Sequence, residues 1–410
     1  MIFLYYDSWD SRGGVATYIH ALAIHLQAEK IPFQLVICES QPSPLADELA
    51  AKGIKIYRQP KLPGERWQIR KRIMLLWLKT QLKPGDWVFC VCQPEPTIYL
   101  NLVQIVHSCG AKIAVSWLVT PEFWPLLPHI VGSYAKQTQQ AIIQTDAVVS
   151  VSHCSVHQFK EMYGYTGKVH VIPLHNLTFF SEPVPLPSAP PWKIGFMGRL
   201  DIQQKNLDVA LQAFAMLRQL RQDVELHLYG GGSDRETLEN LTIESGIQDC
   251  VYFHGAYDHH RELNQIISSC HFFIYPSRWE GGPCFSLLEL VQAGRYCLAA
   301  SVGGIPDLYA GYPDVGLLLD CPNADTLFNS FVETLKKFEA NLIDPNKIRA
   351  RYFDGFDMES AHRAWMSVIG SEANGTNKRY SPCSDWFPAS RLGTDSGRLR
   401  LQGLDKRQSL

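Results

Sequence analysis

The chain has 410 residues, with 40 acidic and 38 basic side chains and a formal net charge of −2. That length is more than one hydrophobic core serves, so two domains are expected, with room for a tail. The near balance of charge carries no electrostatic footprint for nucleic acid. Eleven cysteines occur without a C-x-x-C pair, which argues against a zinc-ribbon or thioredoxin-type motif and fits a reducing cytoplasm. The opening MIFLYYDSWD lacks a basic n-region, and its apolar run is too short for a signal peptide. No apolar run approaches the roughly 18 residues needed to span a bilayer. The expectation is a cytoplasmic protein that at most lies on the inner face of a membrane.

In chain order, Ile2 to Tyr6 reads as a buried strand, followed by Gly13-Gly14. Val15, Tyr18, Ile19, Leu22 and Leu26 then recur at helical spacing. Phe33 to Cys38 is the next strand, which makes a βαβ opening of a doubly wound domain. The glycine pair lets backbone approach a ligand closely, with a plain tight turn as the competing reading. Arg66 to Lys83 carries Arg66, Arg70, Lys71, Arg72, Lys79 and Lys83 and no acid, with Trp67, Ile73, Met74, Leu76 and Trp77 between them. A basic amphipathic helix of this kind can lie on an anionic membrane surface. The competing reading is a helix packed on the first sheet with a solvated basic end. Asp86 to Cys92, Lys112 to Val119, Asp146 to Ser152 and Val169 to Pro173 are further strands, and Cys90 and Cys92 are read as core.

Five of the twelve residues from Ser181 to Trp192 are proline, which marks a linker. Beyond it, the strand Lys193 to Met197 runs into Gly198-Arg199-Leu200, with Lys205-Asn206 next. An arginine at a strand's carboxyl end grips phosphate with a planar fork, and a nearby lysine adds a point charge. Val224 to Tyr229 ends in Gly230-Gly231-Gly232, read as room for a close approach of diphosphate or nucleoside, and Val251 to Gly255 follows. His271 to Tyr275 then empties into Pro-Ser, Glu280, Gly281-Gly282-Pro283 and a helical run through Glu289 to Gly294. Strand, glycine loop and helix N-terminus make an anion site. Carboxylates are poor partners for phosphate and good acceptors for sugar hydroxyls. Glu280 and Glu289 beside such a site point to a nucleotide sugar.

At these residues the sequence resembles the retaining glycosyltransferases of family 4, which have the GT-B fold. PSRWEGGP and LLELVQAG match the family's two-glutamate signature, Gly198 to Asn206 its G-R-L-x-x-x-x-K-N clamp, and VGGIPD its V-G-G-I-P-E turn. Val169 to Pro173 is similar to the family's V-x-V-I-P strand. The resemblance runs over roughly residues 1–370, most strongly from 192 to 320. Three departures stand out. Eight residues separate Glu280 from Glu289 where the family usually has seven, with the spare residue expected among Cys284, Phe285 and Ser286. Ser116, Trp117 and Leu118 stand where members often place a cleft histidine, and His129 is read as an ordinary histidine. Leu174-His175-Asn176 replaces the usual N-G-V.

The resemblance implies an α/β protein of two Rossmann-like doubly wound domains facing each other across a cleft. The acceptor-side domain would take 1–180, the linker 181–192, the donor domain 193–355 and a crossover helix 356–370, with a disordered tail over 371–410. It implies that Arg199, Lys205 and the amides near Cys284, Phe285 and Ser286 hold the departing diphosphate. Glu289 would hold the ribose, Glu280 the transferred sugar, and Gly13 and Gly14 would face the donor across the cleft. The base would meet backbone near Ala256 or Tyr257. The donor is then a nucleoside diphosphate sugar, used without a cofactor, and the acceptor a glycan or lipid-linked hydroxyl. The chain has no D-x-D triplet, which argues against the metal-dependent GT-A alternative. A nucleotide-sugar-binding protein without transferase activity and another GT-B enzyme, such as a phosphorylase or epimerase, are the alternatives. The first βα turn lacks the G-x-G-x-x-G of a dinucleotide oxidoreductase.

Overall fold

Strands buried on both faces read as continuous apolar runs, and this chain has two sets of them. The computed structural model describes residues 1–9, 14–39, 44–59, 67–91, 96–118, 135–176, 178–320 and 322–369. Gly13, Arg66, Cys92, His129 and the 371–410 tail lie outside the described residues.

The first half runs β1 (Ile2–Trp9), α1 (Gly14–Ala28), β2 (Phe33–Glu39), α2 (Pro44–Ala51), β3 (Ile56–Arg58), α3 (Trp67–Gln81) and β4 (Trp87–Cys90). It continues with α4 (Pro96–Ser108), β5 (Lys112–Trp117), α5 (Ala135–Gln144), β6 (Ala147–Ser150), α6 (His153–Tyr163) and β7 (Val169–Val171). These strands form one parallel sheet in the order β3-β2-β1-β4-β5-β6-β7. Phe3, Leu4, Val36, Val88, Ile113 and Val148 are almost wholly buried in it. Trp117 joins this core against Phe159 and Tyr163, with ring centroids 5.1 and 5.0 Å away.

The second half runs β8 (Trp192–Met197), α7 (Ile202–Lys205), α8 (Leu207–Leu220), β9 (Val224–Tyr229), α9 (Arg235–Glu244), β10 (Val251–Gly255) and α10 (His259–Ser269). Then come β11 (Phe272–Tyr275), α11 (Phe285–Gln292), β12 (Tyr296–Ala300), α12 (Ile305–Tyr309), β13 (Gly316–Leu319), α13 (Ala324–Glu339), α14 (Pro345–Phe353) and α15 (Met358–Ile369). The second parallel sheet has the order β10-β9-β8-β11-β12-β13. Strand order reverses beside β1 in the first sheet and beside β8 in the second. Ligands of open α/β sheets bind outside the carboxyl ends of the strands at such reversals.

The chain's end returns to the first sheet. Trp365 of α15 stands edge-on to Phe89, with centroids 4.6 Å apart, and packs with Val368 over Ile2, Leu4, Leu26 and Ala114. Tyr352 of α14 accepts a hydrogen bond from the Asn176 amide at 3.0 Å, and Arg349 donates to Ser181 O at 3.0 Å and Gln292 O at 2.8 Å. The proline-rich segment is pinned rather than loose. The Val184 amide donates to Ala293 O at 3.0 Å. The fully buried Arg295 donates to Ile267 O at 3.0 Å, Val184 O at 2.6 Å and Pro185 O at 2.5 Å.

Helix α3 corrects part of the sequence reading. Arg70 and Lys71 are buried rather than solvated, and Arg70 donates to Gln59 O at 2.8 Å. Met74, Leu75 and Leu78 pack inward, and Trp77 stacks on Tyr57 at 3.6 Å. The outward side keeps Ile69, Ile73 and Leu76, of which Leu76 is 63% exposed, next to exposed Arg72, Lys79 and Lys83.

Candidate functional site

The site begins where β8 ends. The Gly198 amide donates to Tyr229 O and the Leu200 amide to Gly231 O, both at 2.9 Å, so the 198–200 turn lies on the glycine run after β9. A Cβ at Gly230 would stand 1.8 Å from Gly198 O, and one at Gly232 would stand 2.1 Å from Leu200 O. These glycines therefore seat the arginine turn, a task different from the close approach to donor expected of them.

Helix α7 is a single turn whose N-terminus is satisfied twice. Asp201 accepts from the Gln204 amide at 2.8 Å, and Asp234 from the Ile202 amide at 2.7 Å. Asn206, with a left-handed φ of 57°, then redirects the chain into α8. That turn leaves Lys205 buried and pointing into the interior, 8% exposed. The loop after β11 is tied to the same helix. The Arg278 amide donates to Gln204 O at 2.8 Å, and its side chain donates to Ile202 O at 2.6 Å. This brings Glu280 onto Lys205. Lys205 Nζ and Ser277 Oγ both donate to Glu280 Oε1, the latter at 2.7 Å. Burial pulls the Lys205 ammonium down, but Glu280 and Cys284 beside it outweigh burial and its pKa is raised. Lys205 is thus held as a cation. Arg199 lies on the solvent side of this pair, its Nη2 on Gln204 Oε1 at 2.5 Å and its Nε 3.6 Å from Asp201.

Helix α11 starts after Cys284, which gives the first turn no side-chain cap. Its first amides have no intrahelical acceptor, the arrangement that favours an anion. Ser286 Oγ donates to Met197 O at 3.2 Å, and Cys284 Sγ is 3.5 Å from Ser286 Oγ. Phe285 faces the first half, and a Cβ at Gly14 would lie 3.9 Å from its ring. One turn further on, the buried Glu289 accepts from His259 Nε2 at 2.5 Å. The eight-residue spacing is thereby accommodated with each glutamate on its own partner, Glu280 on the Lys205 ammonium and Glu289 on the His259 ring.

The other wall belongs to the first half. A Cβ at Gly281 would stand 2.3 Å from Leu118 O, and one at Gly282 would stand 2.8 Å from Val151 Cγ2. A Cβ at Gly304 would stand 2.4 Å from Ser152 Cβ. Asp307 of α12 accepts from the His153 amide at 2.5 Å and from Cys154 Sγ at 2.9 Å, at the N-terminus of α6. The structure thus gathers Arg199, Lys205, Glu280, Cys284, Phe285, Ser286 and Glu289 on one sheet's carboxyl edge, with Gly14 opposite. Sequence reasoning missed Ser277, His259 and Asp307. Ser277 stands inside the P-S-R-W-E stretch and Asp307 inside V-G-G-I-P-D. Nothing local marks His259, because its partner lies 30 residues away.

Family models match both halves of the chain. Residues 12–174 match the family described as Glycosyltransferase Family 4, and residues 191–337 match Glycosyl transferases group 1. Among curated relatives, one subunit of the phosphatidylinositol N-acetylglucosaminyltransferase of Arabidopsis thaliana is 25% identical over 49% of this chain and 44% of its own length. A GDP-mannose-dependent alpha-(1-6)-phosphatidylinositol monomannoside mannosyltransferase of Mycobacterium tuberculosis is 22% identical over 88% of this chain and 94% of its own length. The chain spans less than half of the first three curated relatives it matches, at 44%, 38% and 29% of their lengths. In three dimensions, the apo lipopolysaccharide outer core galactosyltransferase WaaB superposes with a TM-score of 0.69 at 18% identity, covering 91% of this chain and 99% of that one. Anabaena Alr3699/HepE, solved in complex with UDP, gives 0.70 at 14% identity, covering 90% and 99%. The chain carries the GT-B fold and resembles, in both its halves, the glycosyltransferases of family 4.

Proposed function

We propose that this protein is a retaining glycosyltransferase. It moves a sugar from a nucleoside diphosphate sugar to a hydroxyl on a glycan or lipid-linked acceptor, without a metal. The observation that supports this reading is the convergence at the β8 switch point of two cations, a helix N-terminus and two buried carboxylates. Arg199, Lys205 and the amides of Phe285 and Ser286 take the diphosphate. Glu289 takes ribose hydroxyls and Glu280 those of the transferred sugar. As the bond from the sugar's anomeric carbon to the diphosphate oxygen breaks, these donors offset the charge that develops on the leaving group. The acceptor oxygen bonds the same carbon on the face being vacated, and its proton passes to the departing phosphate. Because the acceptor attacks the face the leaving group vacates, the anomeric configuration is kept without an enzyme nucleophile.

Two observations favour a lipid-linked acceptor. The names of two relatives specify phosphatidylinositol acceptors or products. The outer side of α3 presents Ile69, Ile73 and Leu76 flanked by Arg72, Lys79 and Lys83, suited to peripheral contact with an anionic bilayer. No helix among the described residues is long and apolar enough to cross a membrane.

The test is a thermal-shift panel of nucleoside diphosphates and their sugars, followed by transfer assays with and without EDTA. One nucleotide is expected to stabilise the wild type and not Arg199→Ala. Transfer should survive EDTA, and NMR of the product should show the donor's anomeric configuration. Donor binding with neither transfer nor hydrolysis would replace this reading with that of a nucleotide-sugar-binding protein. Loss of anionic-vesicle flotation is expected in Leu76→Glu, and wild-type protein left in the soluble fraction would remove the membrane contact.

A further inference from the structure

We propose that His259 is a positioning residue for Glu289 in donor binding, an assignment that rests on reading Glu289 as the acceptor of the nucleoside's hydroxyls. Glu289 lies inside α11 with its side chain 4% exposed, whereas the His259 side chain opens α10 and is 41% exposed. The two helices, which follow β10 and β11 in the chain, are linked by a 2.5 Å bond from His259 Nε2 to Glu289 Oε1. A buried carboxylate held at one oxygen has a set orientation, and its other oxygen, Oε2, is the one a ribose hydroxyl would reach. The histidine is the more exposed member of the pair.

Charge makes the pair more than a rotamer lock. Among the described residues, Glu289 from α11 and Asp258 from the preceding turn act on the ring, and both raise its pKa. Asp258 is shared with Arg261, 3.5 Å away, and Tyr257 lies near enough for Glu289 to act on its hydroxyl. The hydrogen bond to Glu289 is the largest influence on His259, burial opposes it, and the net shift is upward from 6.5. With the ring protonated, Glu289 enters the site as a neutralised pair. With the ring neutral, Glu289 adds an uncompensated negative charge to a site that must accept a diphosphate. Donor affinity therefore falls as pH rises through the His259 ionisation.

The experiment is calorimetric titration of the full chain with UDP and with GDP across the range in which imidazole titrates. It compares wild type, His259→Ala, His259→Gln, Glu289→Gln and the double variant His259→Ala/Glu289→Gln. The nucleotide's own phosphate ionisation is common to all and cancels between variants. Expected is a loss of about tenfold in affinity for His259→Ala at the acidic end, the scale of one charge-assisted hydrogen bond. His259→Gln, which keeps an N–H donor that does not titrate, should recover only the orienting part of that loss and flatten the pH profile relative to wild type. The double variant should bind no worse than Glu289→Gln alone. If Glu289→Gln is weak while His259→Ala matches wild type at every pH, the His259 assignment is overturned and the reading of Glu289 stands. If His259→Ala lowers only the melting temperature and leaves the pH profile of binding unchanged, its role is structural and the assignment falls. If Glu289→Gln itself binds as wild type, the underlying reading of Glu289 fails.

Discussion

The two sheets share a topology and differ in what their carboxyl edges carry. At the second switch point, Arg199, Lys205, Glu280, Glu289 and His259 gather charge on the carboxyl edge of the sheet, in the loops and helices around one helix N-terminus. Among the described residues, the first sheet faces them with Gly14, Leu118, Val151 and Ser152, mainly as backbone and small or apolar side chains. Among the described residues, one half thus supplies charge and the other supplies shape. The same fold serves both because a doubly wound sheet fixes only where its edge lies and leaves the loops to decide its chemistry.

The sharpest way to break this comparison is to spoil the shape and leave the charge. Gly304→Ala places a methyl 2.4 Å from Ser152 Cβ and 2.8 Å from Gly282 Cα. Since Gly304 has φ −95°, which any residue adopts, the cost falls on the meeting of the two halves rather than on the local backbone. Transfer should drop about 100-fold, as misplacements near 1 Å do, with nucleotide affinity by calorimetry unchanged. A variant that lost nucleotide binding as well would show that the first half supplies donor contacts too.

The buried pair tests the charged half, with stability rather than rate as the readout. Lys205→Ala leaves Glu280 buried without its cation and should cost about 3–5 kcal/mol in urea unfolding. Lys205→Met with Glu280→Leu should recover most of that stability while abolishing transfer, since apolar replacement of a whole pair is close to neutral. Failure of the double variant to recover would mean that the pair is needed for folding rather than kept for chemistry.

Arg199 sharpens the contrast from the other side. Its side chain is 63% exposed, so Arg199→Ala should leave stability within about 0.5 kcal/mol. The nucleotide-induced thermal shift should nevertheless be lost. A large change in the unliganded melting temperature would reveal a structural part for this arginine.

The smallest effect is the pH dependence of stability from His259. Its folded pKa is raised above 6.5, so the stabilisation is fully present below the ordinary histidine value and is lost as pH rises through the raised one. The unfolding free energy of wild type minus that of His259→Gln should therefore fall across that window. A flat difference would mean that the pair is equally strong with a neutral ring.

Much of the donor site was legible because its residues come in short runs. Arg199 and Lys205 are six positions apart around one strand exit, and Glu280 to Glu289 span one loop and helix. The glycines carry a second demand that spacing does not show. Gly230 and Gly232 each lie against the carbonyl of a neighbouring turn, where a Cβ would not fit. Helix α3 was half legible. Its periodicity showed the apolar side, but the burial of Arg70 and Lys71 depends on Gln59 and the sheet edge, which spacing cannot register.

Alternation of apolar strands and periodic helices, the proline-rich break at 181–192 and the charged strand exits were determined by the sequence alone, because each depends on neighbours within a few positions. Tertiary structure decided who answers whom. Lys205 meets Glu280 across 75 residues, His259 meets Glu289 across 30, and Asp307 caps α6 across 154. Such pairings follow from the strand order at each switch point. That order is set by which apolar faces the crossover helices cover, a property of the whole packed sheet rather than of any one segment.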